Sequence, residues 1–241
     1  ISARIKLTGI GNRYEISSLT NEKVKLINSL HHRKYRREHN LFVAEGIRIC
    51  REAAENGWEV RYLLYDSLNI DSHIIENLIN DVLCLGADVI EVTSEILSKI
   101  SHKENPQNVL CVICQKWQDL PSIIKDKTFV ALEAVRDPGN LGTILRTMDG
   151  VGASDCILLD ECTDPFSYES VRASMGAIFN VNIIACSSEN FLKWKFKHKI
   201  SLIGTSLINA NDYTKTNWQL PFILAMGNEK QGLSHKNFEC M

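Results

Sequence analysis

Short apolar runs of strand length alternate with segments of helical period along the whole chain, which points to an α/β architecture with mainly parallel strands. In the first half the pattern predicts a helix around Asn21 to Arg37, a strand Leu41 to Ala44 and a helix Ile47 to Asn56 stopped by Gly57. A strand Val60 to Tyr65, a helix Ser72 to Ile79, a strand near Val89 to Val92, a short helix from Ser94 and a strand Val109 to Cys114 follow. Lys116 to Lys127, with Pro121 and mixed charge, reads as a boundary. The second half begins with a strand, Phe129 to Val135, and a glycine-rich loop. Beyond them come a helix Leu141 to Val151, a strand Cys156 to Asp160, a helix Tyr168 to Ala177 and a strand Val181 to Ala185. A helix Ser188 to Lys197 and strands Ile200 to Ser206 and Phe222 to Met226 complete it. With 241 residues, 44% of them apolar, each half can bury its own core.

Several classes of protein drop out at this stage. No apolar run approaches the roughly 20 residues of a membrane span, and Ile1 to Lys6 lack the apolar stretch of a signal peptide, so the expected location is the cytosol. The eight cysteines are scattered and read as reduced, buried thiols. Cys111 and Cys114 form a C-x-x-C inside a strand-like run, with no second pair to complete a zinc site, so no metal is expected. Net charge is only −2, but residues 22 to 51 hold eight Lys/Arg against three acids. The densest part, His31 to His39, contains Arg33, Lys34, Arg36 and Arg37 beside Tyr35. It reads either as a phosphate-tracking surface or as a solvated helix face.

Three segments carry unusual chemistry. Arg136-Asp137-Pro138-Gly139-Asn140-Leu141-Gly142 joins a strand to a helix, where backbone amides meet whatever approaches the helix start. On the helix that follows, Arg146 lies off the apolar stripe, where a surface pair with Asp149 would explain it. Asp164 to Ala177 reads as a capped helix whose Ala173, Ser174, Gly176 and Ala177 leave little side-chain bulk. Ala225 to Ser234 takes a buried strand into Gly227-Asn228-Glu229 and then Gly232-Leu233-Ser234, placing bare backbone and a carboxylate where open α/β sheets bind ligands. Lys193 to Lys199 interleaves lysines with Trp194 and Phe196, which fits either nucleic-acid contact or the polar face of a helix. Asp160 sits at the spacing of a ribose-binding acid, so a nucleotide-dependent oxidoreductase is one possibility.

Taken in order, these segments resemble the SpoU (TrmH-like) RNA 2′-O-ribose methyltransferases of the SPOUT superfamily. The family's loop and helix match Asp137 to Thr147, its Arg-Ala-Ser-Met-Gly-Ala helix matches Arg172 to Ala177, and its Gly-Asn-Glu-x-x-Gly-Leu-Ser segment matches Gly227 to Ser234. Lys23-Val24-Lys25, Arg33 to Arg36, Phe42 to Gly46 and Asn105-Pro106-Gln107 resemble the accessory domain. The resemblance implies a ribosomal-protein-like α/β substrate-binding domain over residues 1–118 and an α/β-knot methyltransferase domain over 126–241. It also implies S-adenosylmethionine as cofactor, an RNA substrate (ribosomal RNA ahead of transfer RNA) and a homodimer. Asn140, Arg146 and Glu229 would be catalytic; Thr205, Gly227, Glu229, Gly232 and Leu233 would hold the cofactor; Arg33, Lys34, Arg36, Arg37, Arg172 and Ser174 would contact RNA. In the family a strand and a Ser-Leu-Asn helix follow Gly-Leu-Ser, whereas this sequence ends at Phe238-Glu239-Cys240-Met241. The knot is therefore expected to be incomplete and donor binding weak, and a non-catalytic RNA-binding protein is the alternative.

Overall fold

The structure, a computed structural model, describes residues 10–69, 72–101, 105–206 and 210–234. The readings made at residues 1–6 and 238–241 lie outside them. The chain divides into two compact units, Ile1–Gln115 with Phe166–Arg172, and Lys116–Pro165 with Ala173–Met241.

The first unit runs β1 (Arg13–Ile16), α1 (Glu22–Ser29), α2 (Arg33–His39), β2 (Leu41–Glu45), α3 (Ile47–Glu55), β3 (Val60–Tyr65), α4 (Ser72–Cys84), β4 (Asp88–Val92), α5 (Ser94–Ser101) and β5 (Val109–Cys114). Its sheet has the order β1-β4-β3-β5-β2. β1, β4 and β3 are parallel, and β5 runs antiparallel to both β3 and β2. Val24 and Ile27 of α1 pack with Ile96, Leu97 and Ile100 of α5 on sheet residues Leu64, Ile90 and Val112. β1 was not expected, because four residues of mixed polarity give too little pattern. Its entry depends on Gly11, where a Cβ would stand 1.8 Å from the Ala87 carbonyl oxygen.

The single helix expected over Asn21 to Arg37 is two. Asn21 caps α1 by accepting from the Lys23 amide at 2.9 Å, and the chain turns at Leu30 to His32 before α2 begins. Arg36 closes this corner. Its guanidinium is buried, and Nη1 donates to the Leu30 and His31 carbonyls at 2.8 and 2.7 Å, satisfying acceptors that the end of α1 leaves without helical partners. This corrects its expected role in RNA contact. Arg33, Lys34 and Arg37 of the same helix are exposed.

The second unit contains β6 (Thr128–Glu133), α6 (Pro138–Gly150), β7 (Asp155–Leu159), β8 (Asn182–Cys186), α8 (Ser188–His198), β9 (Ser201–Gly204) and β10 (Phe222–Met226). Between β7 and β8 lies α7 (Tyr168–Ser174), whose residues up to Arg172 are assigned to the first unit. The helix expected to continue to Ala177 stops at Ser174, because Met175 (φ 54°) and Gly176 (φ 101°) turn left-handed. All five strands are parallel, in the order β8-β7-β6-β10-β9. Phe129, Ile157, Ile184, Phe191, Trp194 and Ile223 form the core cluster. Trp194 stands edge-on to Phe129 with centroids 5.2 Å apart and donates its Nε1–H to the Pro121 carbonyl at 2.8 Å. A buried indole thus keeps a partner for its one polar atom.

Replacing Arg36 with Met is expected to lower stability by about 2 kcal/mol, since charge-assisted bonds are lost and the carbonyls are stranded. Urea unfolding followed by circular dichroism measures it. A loss no larger than that of Arg37→Met would show that the corner holds without the guanidinium.

Candidate active site

In an open parallel sheet the ligand edge is the carboxyl end of the strands, at the point where the strand order reverses. Here the chain moves outward from β6 through β7 to β8, then crosses to the other side for β9 and returns with β10 beside β6. The reversal falls between β6 and β10. The register Met226↔Leu132 brings the loop after β6 next to the segment after β10.

These two segments are tied by four side chains. Asp137 caps α6, accepting from the Asn140 amide at 2.7 Å, with Pro138 in the first turn where its missing N–H costs nothing. That cap presents the Asn140 side chain, whose Nδ2 donates to Glu229 Oε1 at 3.1 Å. The Asn228 amide donates to the Ala134 carbonyl at 2.9 Å and to Glu229 Oε2 at 3.3 Å, while its oxygen accepts from the Lys230 and Gln231 backbone. Glu133, buried at the end of β6, accepts from the Ser234 amide at 2.8 Å. The Asn140 amide, with backbone N–H groups of Glu229, Asp137 and Arg136 behind it, holds the Glu229 carboxyl below the usual carboxylate range, against a smaller opposing effect of burial.

Gly227 is required by close approach. A Cβ there would lie 2.0 Å from the Gly232 carbonyl carbon and 2.2 Å from the Leu233 nitrogen, because Asn228 and Gly232 exchange backbone hydrogen bonds of 3.0 and 2.9 Å. Gly232 itself has φ 71°, open to glycine at no steric cost. Leu233 is half-buried and packs on the core of this unit. Thr205, at the end of β9, is exposed and donates its backbone N–H to the Ala225 carbonyl at 3.0 Å. Thr205, Gly227, Gly232 and Leu233 are thus carried by two adjacent strand ends. Main chain and one apolar side chain meet there, a combination that suits the edge and face of a flat base.

Arg146 is exposed on α6, six residues beyond Asn140. The surface pair with Asp149 does not form: among the described residues Arg146 has no ion pair, and Asp149 instead accepts from Asn180. Arg172 is exposed, whereas Ser174 is buried at 1% exposure, so the expected contact of its hydroxyl with RNA is corrected. Asp160 is committed elsewhere. Its carboxylate accepts from the Ser188 amide at 3.0 Å and from the Ser188 hydroxyl, closing the start of α8, which removes the group on which an oxidoreductase reading depended. Glu133 and Asn228 were not singled out as site residues. The signal for Glu133 was one acid within the apolar run Phe129 to Val135.

A parallel sheet whose carboxyl edge is tied together at its reversal, on a chain whose other α/β unit carries a basic segment at residues 22–51, has the architecture of an α/β protein that binds a ligand at that edge. The SpoU rRNA Methylase family model matches residues 127–240, and the MRM3-like substrate binding domain matches 21–111. A 23S rRNA (uridine(2479)-2'-O)-methyltransferase of Streptomyces viridochromogenes is 30% identical over 203 residues, 80% of this chain and 70% of that protein. The 23S rRNA (guanosine(2553)-2'-O)-methyltransferase RlmP of Bacillus subtilis is 27% identical over 91% of this chain and 84% of its own length. Among solved structures, an AdoMet-bound rRNA methyltransferase from Sinorhizobium meliloti superposes with a TM-score of 0.88 at 38% identity, covering 95% of this chain and 86% of that one. The SpoU methyltransferase AviRb from Streptomyces viridochromogenes, in complex with AdoMet, gives 0.83 at 27% identity, over 91% and 85%. The chain belongs to the SpoU rRNA methylase family.

The depressed pKa of Glu229 has a testable sign. Protonation of the carboxylate is deferred to lower pH than in a free glutamate, and the Asn140 contact is kept until pH falls through that lowered value. In Asn140→Ala the Glu229 pKa is expected to rise toward its ordinary value. Carboxyl-detected NMR titration of both proteins reads the change; a titration identical in the two would mean that Asn140 does not hold the carboxylate.

Proposed function

We propose that the protein transfers a methyl group from S-adenosylmethionine to the 2′-hydroxyl of a ribose in ribosomal RNA. The observation that carries the reading is the Asn140–Glu229 contact, which joins the family's loop and its Gly-Asn-Glu segment at the reversal of the sheet. The cofactor, when bound, supplies an electrophilic methyl; Thr205, Gly227, Gly232 and Leu233 would hold it by main chain and apolar contact, and Glu229 would fix the loop that encloses it.

The chain's own task is to orient a ribose hydroxyl and let its proton pass to the neighbouring phosphate or to water. Asn140 is fixed at both ends, by the Asp137 cap and by Glu229, so its amide is a preset point of reference for the ribose. Arg146 offers a guanidinium with five N–H donors and no acceptor, a group suited to gripping a phosphate in a forked geometry rather than to accepting a proton. With no partner of its own on α6, it is available for the phosphate next to the target ribose. Exposed Arg33, Lys34 and Arg37 of the first unit and Arg172 of α7 supply further phosphate contacts, and a homodimer completes the RNA site.

Transfer of labelled methyl from S-adenosylmethionine to ribosomal RNA tests the reading, followed by mapping of 2′-O-methyl positions. Arg146→Ala is expected to lose at least about 100-fold in kcat/KM, because it removes positioning at the reacting centre. Gly227→Ala is expected to abolish donor binding in calorimetry through the backbone clash. Absence of incorporation by the wild type, with RNA binding retained, would overturn the methyltransferase reading.

A further inference from the structure

The amino edge of the second sheet, opposite the candidate active site, has a composition that the reaction does not use. α8 buries Phe191, Leu192 and Trp194 against the sheet, yet Phe196 points outward at 58% exposure between Lys193 and Lys197 on the same face. Lys195 Nζ stands 4.4 Å from the Phe196 ring centroid. From residue 190 to residue 211 the chain has lysines at 193, 195, 197 and 199 and no acid. Lys193 is paired with Glu189 at 2.7 Å, while Lys197 and Lys199 have no ion pair among the described residues.

Lys199 leads directly into β9, whose Leu202 lies opposite Ile223 of β10 in the core that α8 covers. Lysines at the end of a helix complement its dipole, which accounts for some of this charge. It does not account for an outward phenylalanine beneath an ammonium. Aromatic faces interleaved with unpaired cations suit unpaired nucleotides, whose bases stack while the phosphates are neutralised.

We infer that this end of α8 is a second RNA-docking surface, where Phe196 stacks on an unpaired base of the substrate and Lys197 and Lys199 contact its phosphates. The inference rests on the RNA reading above and extends it to a site that does not touch the reacting atoms. A five-residue strand spans about 17 Å. The surface therefore engages a part of the RNA remote from the methylated ribose and acts on substrate affinity.

Fluorescence anisotropy with a labelled, unstructured 12-nucleotide RNA tests it on the full protein, beside methyl-transfer kinetics. Phe196→Ala is expected to bind about tenfold more weakly, within the range for loss of one stacked base, and Phe196→Tyr to bind as the wild type does. Lys197→Gln with Lys199→Asn is expected to reduce the slope of log affinity against log salt by about 1.4, since each single-strand phosphate contact contributes about 0.7. Asn suits position 199 because φ there is 54°. KM for RNA should rise in these variants with kcat unchanged, and their melting temperatures should match the wild type. Unaltered affinity and salt slope in folded variants that still transfer methyl would overturn the surface and leave the methyltransferase reading intact. Weakened binding in a protein that transfers no methyl would support the surface while that reading failed.

Discussion

The parallel pairing of β10 with β6 is the constraint from which the rest of the second unit follows. Ile223 lies opposite Phe129 and Met226 opposite Leu132, although some ninety residues separate the two strands in the chain. Burial of Ile223 and Ala225 in the sheet core holds the pairing, at about 25 cal/mol for each Å² of apolar surface removed from water. The side-chain ties at the carboxyl edge are individually small, about 1 kcal/mol each. Their effect is local order: once the strands are adjacent, Asn140, Asn228 and Glu133 decide how the two loops meet.

Backbone strain gathers at the same edge. Ala134 after β6 and Asp160 after β7 both take left-handed φ, 54° and 53°, a conformation costing roughly 1–2 kcal/mol for a residue with a side chain. Each is held by a specific partner. Asn228 grips the Ala134 carbonyl, and Asp160 is tied through its own carboxylate to Ser188. The first aims the loop toward Glu229. The second uses up a carboxylate that would otherwise resemble a ribose-binding acid, so one turn of backbone separates two functional readings of the same sequence.

In the first unit the basic segment serves two purposes, and position within a seven-residue helix assigns them. Arg36 faces inward to the end of α1, while Arg33, Lys34 and Arg37 face solvent. On α1 itself, Lys23 lies over the rings of Tyr14 and Tyr62, 4.7 and 5.0 Å from their centroids, and pairs with Asp88 at 3.3 Å. The summed charge of residues 22 to 51 therefore overstates the cations offered to an RNA. Part of it is spent on packing the domain that presents the remainder.

The sequence by itself determined the α/β class, nearly all the strands and the two segments that meet at the candidate site, because apolar periodicity and the glycines of tight approaches are local properties of the chain. It also pointed to Gly227 and Glu229, since a buried strand breaking into Gly-Asn-Glu has few structural explanations. Only the tertiary structure decided that α1 and α2 are separate, that Arg36 and Ser174 are buried and that Asp160 is a cap. Those outcomes depend on partners distant in sequence or on which side of a turn the chain leaves. β1 was missed for a related reason: four residues carry little periodicity, and what admits them is the absence of a Cβ at Gly11 opposite Ala87, a contact that exists only after β4 has folded.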